Sequence, residues 1–517
     1  MTTETTPGTD VLDVLIIGAG ISGIGAAHYL KTEHPDKSFT ILESRHTLGG
    51  TWDLFKYPGL RSDSDLHTFG FGFKPWMDNQ AIADADRIID YLTEAADDDG
   101  LTEKIRFHRR AVGADWNTAD QAWHVTVTNT DPSAVATEGE DAPTELIRAR
   151  WIFAGTGYYN YDEGFTPDFP GKERFTGQII HPQHWPEDLD YSGKKIVVIG
   201  SGATAVTLVP SMTDDAAHVT MLQRTPTYVI PLPREDAVAN VLKKVLGADL
   251  GYKLSREKNI LQQRVMYELC QHFPTPMRAV IRGTNKAMLG RDFPLDPHFN
   301  PPYNPWDQRL CVVPDGDMFR ALKRGDASIV TDRITTFTEK GILLESGREL
   351  EADIIVTATG LNLQMFGGMD LAVDGEPVVL KDAVAYRGVM LSGLPNLAMA
   401  LGYTNSSWTL KVDMLCRYWC RMLDHMDAHG YTSVRPEVPA GLETRPLLDF
   451  GAGYVKRALD GLPKQGTEKP WTMSMSVYTD RGQLDRGPVD DEFLTYSAAP
   501  AQAPAETDAA PTSPATV

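Results

Sequence analysis

The chain has few cysteines, a deficit of positive charge and no long apolar run. Its four cysteines in 517 residues, Cys270, Cys311, Cys416 and Cys420, form no CxxC or CxxxxC pair, which argues against a disulfide framework or a zinc site. No metal centre is expected. Cys416 and Cys420 stand on one face of any helix and read as core residues. Lys and Arg total 49 against 70 Asp and Glu, a net charge of -21. That balance argues against nucleic acid or an anionic membrane as the main partner. No apolar stretch reaches the roughly eighteen residues that a membrane-spanning helix needs, so no integral membrane association is expected. Met1 to Asp10 is polar, unlike the basic-then-apolar start of a secretory signal. A reduced, cytoplasmic protein is the reading. Asn405-Ser-Ser407 fits a glycosylation acceptor, a match that carries no weight without a secretory signal.

What is present begins with Asp13-Val-Leu-Ile-Ile-Gly-Ala-Gly-Ile-Ser-Gly23, an apolar run ending in G-x-G-x-x-G and opening into a helix-like segment. Gly18 permits the strand-to-helix turn, Gly20 lets a pyrophosphate approach the backbone, and Gly23 lets the helix pack on the strand. The phosphates then meet the free N–H groups and dipole of the helix N-terminus. A second strand, Ser38 to Leu42, ends in Glu43, twenty residues past Gly23, where an acid holds a ribose hydroxyl.

The device recurs. Lys195-Ile-Val-Val-Ile-Gly-Ser-Gly-Ala-Thr-Ala205 reads as G-x-G-x-x-A, 182 residues after the first motif. Here Gly200, Ser201, Gly202, Ala203 and Thr204 form the turn, and the next strand ends in Gln223-Arg224-Thr225 with no acid. An arginine at this place suits a ribose 2'-phosphate and so NADP; a plain surface arginine is the alternative. Two dinucleotide sites in one chain imply hydride transfer from NADPH to FAD. A disulfide reductase would need a cysteine pair beside the flavin, and none is spaced for it.

The expected fold class is α/β, with two Rossmann-like dinucleotide-binding domains (FAD and NADP) and a helical insertion in the NADP domain. A disordered N-terminus covers 1–10, the first part of the FAD domain 11–150, and the first part of the NADP domain 151–228. The helical insertion follows at 229–325, with apolar periodicity over Val241 to Leu246 and Asn259 to Phe273. The NADP domain resumes at 326–384, and 385–490 returns to the FAD domain through an amphipathic helix over Leu410 to Met426. An Ala- and Pro-rich tail, 491–517, reads as disordered.

Two further stretches carry chemistry. Gly49-Gly50-Thr51-Trp52, then Tyr57-Pro58-Gly59-Leu-Arg61-Ser-Asp63, follows the first acid strand and is expected over the flavin. Phe175-Thr-Gly177-Gln-Ile-Ile-His181-Pro-Gln-His184-Trp185-Pro186 enters the second unit. Together they make GGxWxxxx[FY]PGxxxD and FxGxxxHxxxWP, and with both nucleotide motifs the chain resembles type I Baeyer-Villiger monooxygenases. Ile180 to Asp190, Tyr303 to Leu310 and Gly402 to Asn405 are similar to the ethionamide-activating subgroup, which oxygenates ketones and also thioamide or thioether sulfur.

The resemblance implies that FAD is held by Gly18, Gly20, Ser22, Gly23, Glu43, Gly50, Thr51, Trp52, Asp63 and Val112. It implies NADP contacts from the second glycine turn with Arg224, Thr225 and Gln308. Many relatives have lysine at the last of these, so here more of the phosphate recognition falls on Arg224. Arg309 matches the family's active-site arginine and Asp63 its carboxylate partner. The implied chemistry is NADPH reduction of FAD, addition of O2 to give a C4a-peroxyflavin, and oxygen insertion into a ketone, sulfide or thioamide. An N- or S-oxygenating flavin monooxygenase is the close alternative, and a redox-sensing nucleotide-binding protein a more distant one. Oligomeric state is left open, a homo-oligomer included.

Ordinary packing explains other residues. His181 and Trp185 suit a structural role in the linker. Trp52, Phe69, Phe71, Phe73 and Trp76 suit core or pocket wall, and Asp65 a solvated or capping acid. Losing a charge-assisted contact costs about 1.5–3 kcal/mol, or about one to two decades in affinity. Arg224→Ala should therefore raise the Michaelis constant for NADPH by that factor and scarcely change that for NADH; equal effects on both would make Arg224 structural.

Overall fold

Leu12–Ile17 is a strand because its apolar residues are covered on both faces; Val14, Leu15 and Ile16 are fully buried. In the computed structural model, which describes residues 11–134, 143–448 and 451–498, this strand pairs in parallel with Phe39–Leu42 on one side and Thr144–Ala154 on the other. The helix Ile21–Glu33 packs behind it. At Gly23, a Cβ would lie 1.8 Å from the carbonyl oxygen of Gly18, so the close helix–strand contact read from the motif is enforced by the backbone itself. Antiparallel strands Arg109–Asn117 and Ala122–Asn129 extend the sheet. Leu397–Met399, from late in the chain, adds in parallel beside Thr144–Ala154.

The second unit is a five-stranded, wholly parallel sheet. Its order is Ala327–Thr331, His218–Gln223, Lys195–Ile199, Ile354–Thr357, Gln178–Ile180. The helix Ala203–Ser211 follows the second glycine turn. Parallel strands buried on both faces need this Ile/Val-rich composition, and Ile196, Val197 and Val198 are at most 1% exposed.

The elements depart from the expected boundaries at four places. Thr144–Ala154 stays in the first sheet past residue 151. The second sheet is left earlier than 384, because Asp370–Val373 already pairs with Arg109–Asn117 of the first. Between these points the two crossing segments, Tyr159–Gly164 and Leu361–Leu363, hydrogen-bond to each other as an antiparallel pair, so both crossings happen together. Asp317–Arg324, assigned to the insertion, is a helix whose buried Met318, Phe319 and Leu322 join the core of the second unit. Finally, Leu494–Ser497, assigned to a disordered tail, is a strand paired with Ser433–Pro436; Leu494 is buried, which a composition-based reading of 491–517 overlooked. The expected disorder of 1–10 and of 499–517 lies outside the described residues.

The insertion is three helices, Ala237–Leu246, Ala248–His272 and Pro274–Leu289. Its long helix is tied to the first unit by the Arg256–Asp413 ion pair at 3.0 Å, with side chains 12% and 5% exposed. Arg256 also donates to the carbonyls of His67, Thr68 and Gly70. The helix Trp408–His429, which carries Asp413, runs through the first core, with Cys416 and Cys420 buried and unpaired. No helix among the described residues is long and apolar enough to cross a membrane.

Gly23→Ala forces backbone to move and should cost about 1–3 kcal/mol or more, read as a lower unfolding temperature. Gly202, by contrast, has nothing within 4 Å of an added Cβ, and Gly202→Ala should leave that temperature unchanged.

Candidate active site

Both glycine turns open at the carboxyl ends of parallel strands, the place where open α/β sheets bind ligands. The helices that follow, Ile21–Glu33 and Ala203–Ser211, begin at Gly20 and Gly202 with no side-chain cap. Their first amides are left for a ligand, and the helix dipole favours an anionic one. Between the two units lies a cavity of about 380 Å³. From the first unit it is lined by Gly18, Gly20, Ser22, Glu43, Gly50, Thr51, Trp52 and Asp63, and from the second by Ala203, Thr204 and Arg309. Residues from six separated stretches of sequence thus meet in one space.

Arg309 and Asp63 form a two-pronged ion pair across that space. Nε reaches Oδ2 at 2.8 Å and Nη2 donates to Oδ1 at 2.8 Å. Paired forks of this kind fix direction as well as charge. The two side chains are 39% and 29% exposed, so the pair stands on the cavity wall rather than in the core. The Asp63 carboxylate raises the guanidinium's already high pKa further, against the opposing effect of burial. Arg309 is a fixed cation.

Around this pair the wall is phenolic. Burial raises the pKa of Tyr158 and Tyr159 above the ordinary tyrosine value and pushes Tyr57 and Tyr161 up to about 12. All four line the cavity as neutral phenols, and the Tyr161 hydroxyl lies 3.1 Å from Thr51 Oγ1. Burial likewise pushes the Cys311 thiol up to about 12. Arg61, in the same fingerprint as Asp63, donates from Nη1 to Asp317 at 2.5 Å and so joins the two units a second time.

Glu43 is 4% exposed. Its Oε2 accepts from the Ala19 amide and its Oε1 from the Arg45 amide, both at 2.9 Å. The carboxylate therefore holds the glycine turn to the next strand besides facing the cavity. Ser22 Oγ accepts from Trp408 Nε1 at 2.9 Å, fixing a cavity-lining indole from a helix 386 residues away.

Other expected residues stand apart from this cavity. Gly23 is inside the helix–strand contact, and Val112 sits at the register shift of Arg109–Asn117, beside the lining residues Arg109 to Ala111. Gly200, Ser201 and Gly202 form the second turn, where Ser201 Oγ donates to the Thr225 carbonyl. Arg224 is exposed and has no hydrogen bond or ion pair among the described residues. Gln308 is half-buried next to Arg309.

The second fingerprint lies at the crossing. Phe175 packs on Phe337, and Gly177 is pressed against the Asp353 carbonyl. His181 Nε2 is 3.1 Å from the Gly360 carbonyl, and its Nδ1 accepts from the Gln183 amide; burial lowers its pKa. Trp185 is half-buried against the second core and Pro186 is exposed. Asp65 is a cap, accepting from the Thr68 amide at 3.0 Å, but not a solvated one: Asn259 and Gln263 of the long insertion helix both donate to it.

Sequence reasoning placed Tyr57 and Arg61 over the flavin within the first fingerprint, and the cavity is lined by both; it missed Tyr158, Tyr159, Tyr161 and Trp408. Tyr158, Tyr159 and Tyr161 stand in the linker just after the strand Thr144–Ala154, and nothing local marks them or Trp408 as cavity residues.

A family model described as flavin-binding monooxygenase-like matches residues 12–390. The FAD-containing monooxygenase EthA of Mycobacterium tuberculosis is 49% identical over 495 residues, covering 95% of this chain and 99% of that protein. The chain belongs to the flavin-binding monooxygenase-like family. EthA of Mycolicibacterium smegmatis is 48% identical over 491 residues, covering 95% and 98%. Among solved structures of the same fold, cyclohexanone monooxygenase in an open form gives a TM-score of 0.74 at 20% identity, and oxidised steroid monooxygenase bound to NADP 0.71 at 20%. Each match covers 95% of this chain and all of the other. The family's twofold Rossmann architecture is thus the architecture described above.

Glu43→Gln would turn an amide NH2 toward one of the two backbone N–H donors. It should cost about 1–3 kcal/mol, measured by thermal unfolding, and lower flavin content in the same preparation.

Proposed function

We propose that this FAD-containing monooxygenase uses NADPH and O2 to convert ketones to esters or lactones, and that it also oxygenates sulfides or thioamides. The observation that carries the reading is the Arg309–Asp63 pair on the wall of a cavity reached from both glycine turns. Oxygenating a soft nitrogen or sulfur nucleophile does not require a fixed cation there; attack on a carbonyl does, because negative charge develops on its oxygen.

The residues fit both cofactors. The first turn offers uncapped helix amides, Glu43 and a cavity floor of glycine backbone to FAD. The second offers uncapped amides at an open Gly202 and the unpaired Arg224 to NADP. FAD, once reduced by NADPH, supplies the electrons that activate O2. One oxygen atom enters the substrate between carbonyl carbon and migrating carbon; the other leaves as water, with two electrons from NADPH and a proton balancing the reaction.

Within this scheme Arg309 stabilises the developing oxyanion with preorganised charge, a contribution commonly of several kcal/mol in a water-poor site. Asp63 holds the guanidinium in place by its two-pronged contact. Tyr158 and Tyr159 remain protonated across the working pH range and exclude water without adding negative charge. His181 positions the crossing strands and takes no part in chemistry.

Arg309→Ala should still bind FAD and be reduced by NADPH, while ester formation falls below detection and oxygen uptake continues as hydrogen peroxide release. Asp63→Ala should be milder, since misplacement of a retained charge costs about a hundredfold. Stopped-flow reduction and product analysis on one preparation decide: a normal ester yield from Arg309→Ala removes the arginine from the mechanism. Loss of ketone but not sulfide oxidation in the wild type would favour the N- or S-oxygenating alternative.

A further inference from the structure

The insertion carries an unusual surface. Eighteen large apolar side chains are exposed among the described residues, and twelve of them lie between Val238 and Val280. They are ordered by helical period rather than scattered. Val238, Val241 and Val245, 55%, 59% and 72% exposed, share one face of Ala237–Leu246. On Ala248–His272, Leu250, Leu254, Leu261, Val265 and Leu269 form a stripe that spans about 100° of the helix and runs its whole length. The two helices are locked as a hairpin, because an added Cβ on Gly251 would lie 2.5 Å from the Lys243 Cα. Monomeric proteins rarely expose contiguous apolar surface on this scale unless something covers it.

Charge says what covers it. The chain as a whole is at -21, yet residues 237–289 hold nine Lys and Arg against three Asp and Glu. Of those nine, Lys243, Lys244, Lys253, Arg278 and Lys286 form no ion pair among the described residues; of the three acids, only Asp249 is without one. Lys244 and Lys253 are exposed on the flanks of the apolar stripe. An apolar stripe with basic flanks is the pattern of a helix lying in the headgroup layer of a membrane. A second copy of the chain is a poorer occupant: in a twofold interface the same patch meets itself, placing this local excess of positive charge against its own image.

We propose that the helical hairpin 237–272, with the following helix, is a peripheral docking surface for an anionic lipid bilayer. The whole-chain charge would keep the rest of the protein off such a surface, so it also sets the orientation. On the other side of the long helix, Gln263 Oε1 accepts from Ser406 at 2.6 Å, and Ser406 lines the cavity; the helix that would meet lipid is thus one hydrogen bond from the cavity wall.

The test uses the full-length, FAD-loaded protein and sedimentation with vesicles of equal parts phosphatidylglycerol and phosphatidylcholine, or of phosphatidylcholine alone. The wild type should partition onto the anionic vesicles and at least about tenfold less onto the neutral ones. Lys244→Glu with Lys253→Glu should weaken the anionic partition at least about tenfold. Val245→Ser with Leu250→Ser and Leu254→Ser should abolish it, while unfolding temperature and flavin content stay those of the wild type because all three are already exposed. Wild-type protein that stays in the supernatant with anionic vesicles at physiological salt overturns the proposal. So does a dimer, seen by sedimentation velocity, that the serine variant dissociates while vesicle binding is absent in both; that result would make the face a self-interface.

Discussion

Two strands carry the chain between its two sheets, and they are bonded to each other. Tyr159–Gly164 leaves the first unit and Leu361–Leu363 returns to it, antiparallel and side by side. A single strand crossing a gap would leave its backbone donors and acceptors to water; a paired crossing satisfies the facing edge of each strand and ties the two crossings into one joint. His181 fastens this pair through the Gly360 carbonyl, and Gly164 leaves room for its ring, since a Cβ there would sit 2.0 Å from the imidazole. The placement of Arg309 against Asp63, 246 positions apart in sequence, follows from that joint. The second fingerprint thus belongs to the geometry of the crossing, while the first belongs to the cavity.

What could be read beforehand follows the range of the physics. Glycine turns, the strands before them and the acid at Glu43 are local, and a spacing of a few residues specifies them. The Arg309–Asp63 pair was legible only through resemblance to a family, because no local rule links positions so far apart. The Tyr158–Tyr159–Tyr161 wall and Trp408 were missed for the same reason: a tyrosine in a linker looks like any other until the crossing strands turn it inward. Domain boundaries were misjudged where chain order and sheet order disagree. Asp370–Val373 returns to the first sheet straight after the crossing strand, and nothing in a four-residue strand says which sheet it will join.

The insertion is less separate than its sequence suggests. Arg256 reaches into the first unit to pair with Asp413. Asp65 gathers Thr68, Asn259 and Gln263, and Gln263 passes the contact on to Ser406. Breaking a buried pair such as Arg256–Asp413 by removing one partner commonly costs about 3–5 kcal/mol, so the long helix is firmly fastened to the first unit. Changes in the insertion reach the cavity through hydrogen bonds already made.

The four thiols gain a different meaning beside oxygen chemistry. Where O2 chemistry releases peroxide, the thiolate is the form of cysteine that attacks it and is oxidised. Every cysteine here is buried. The one nearest the candidate site, Cys311, is held as the neutral thiol by burial and by the Asp63 charge, with Arg309 pulling the other way. The sulfur that peroxide from solvent meets first is then thioether, at the exposed Met77 and Met266, and not sulfhydryl.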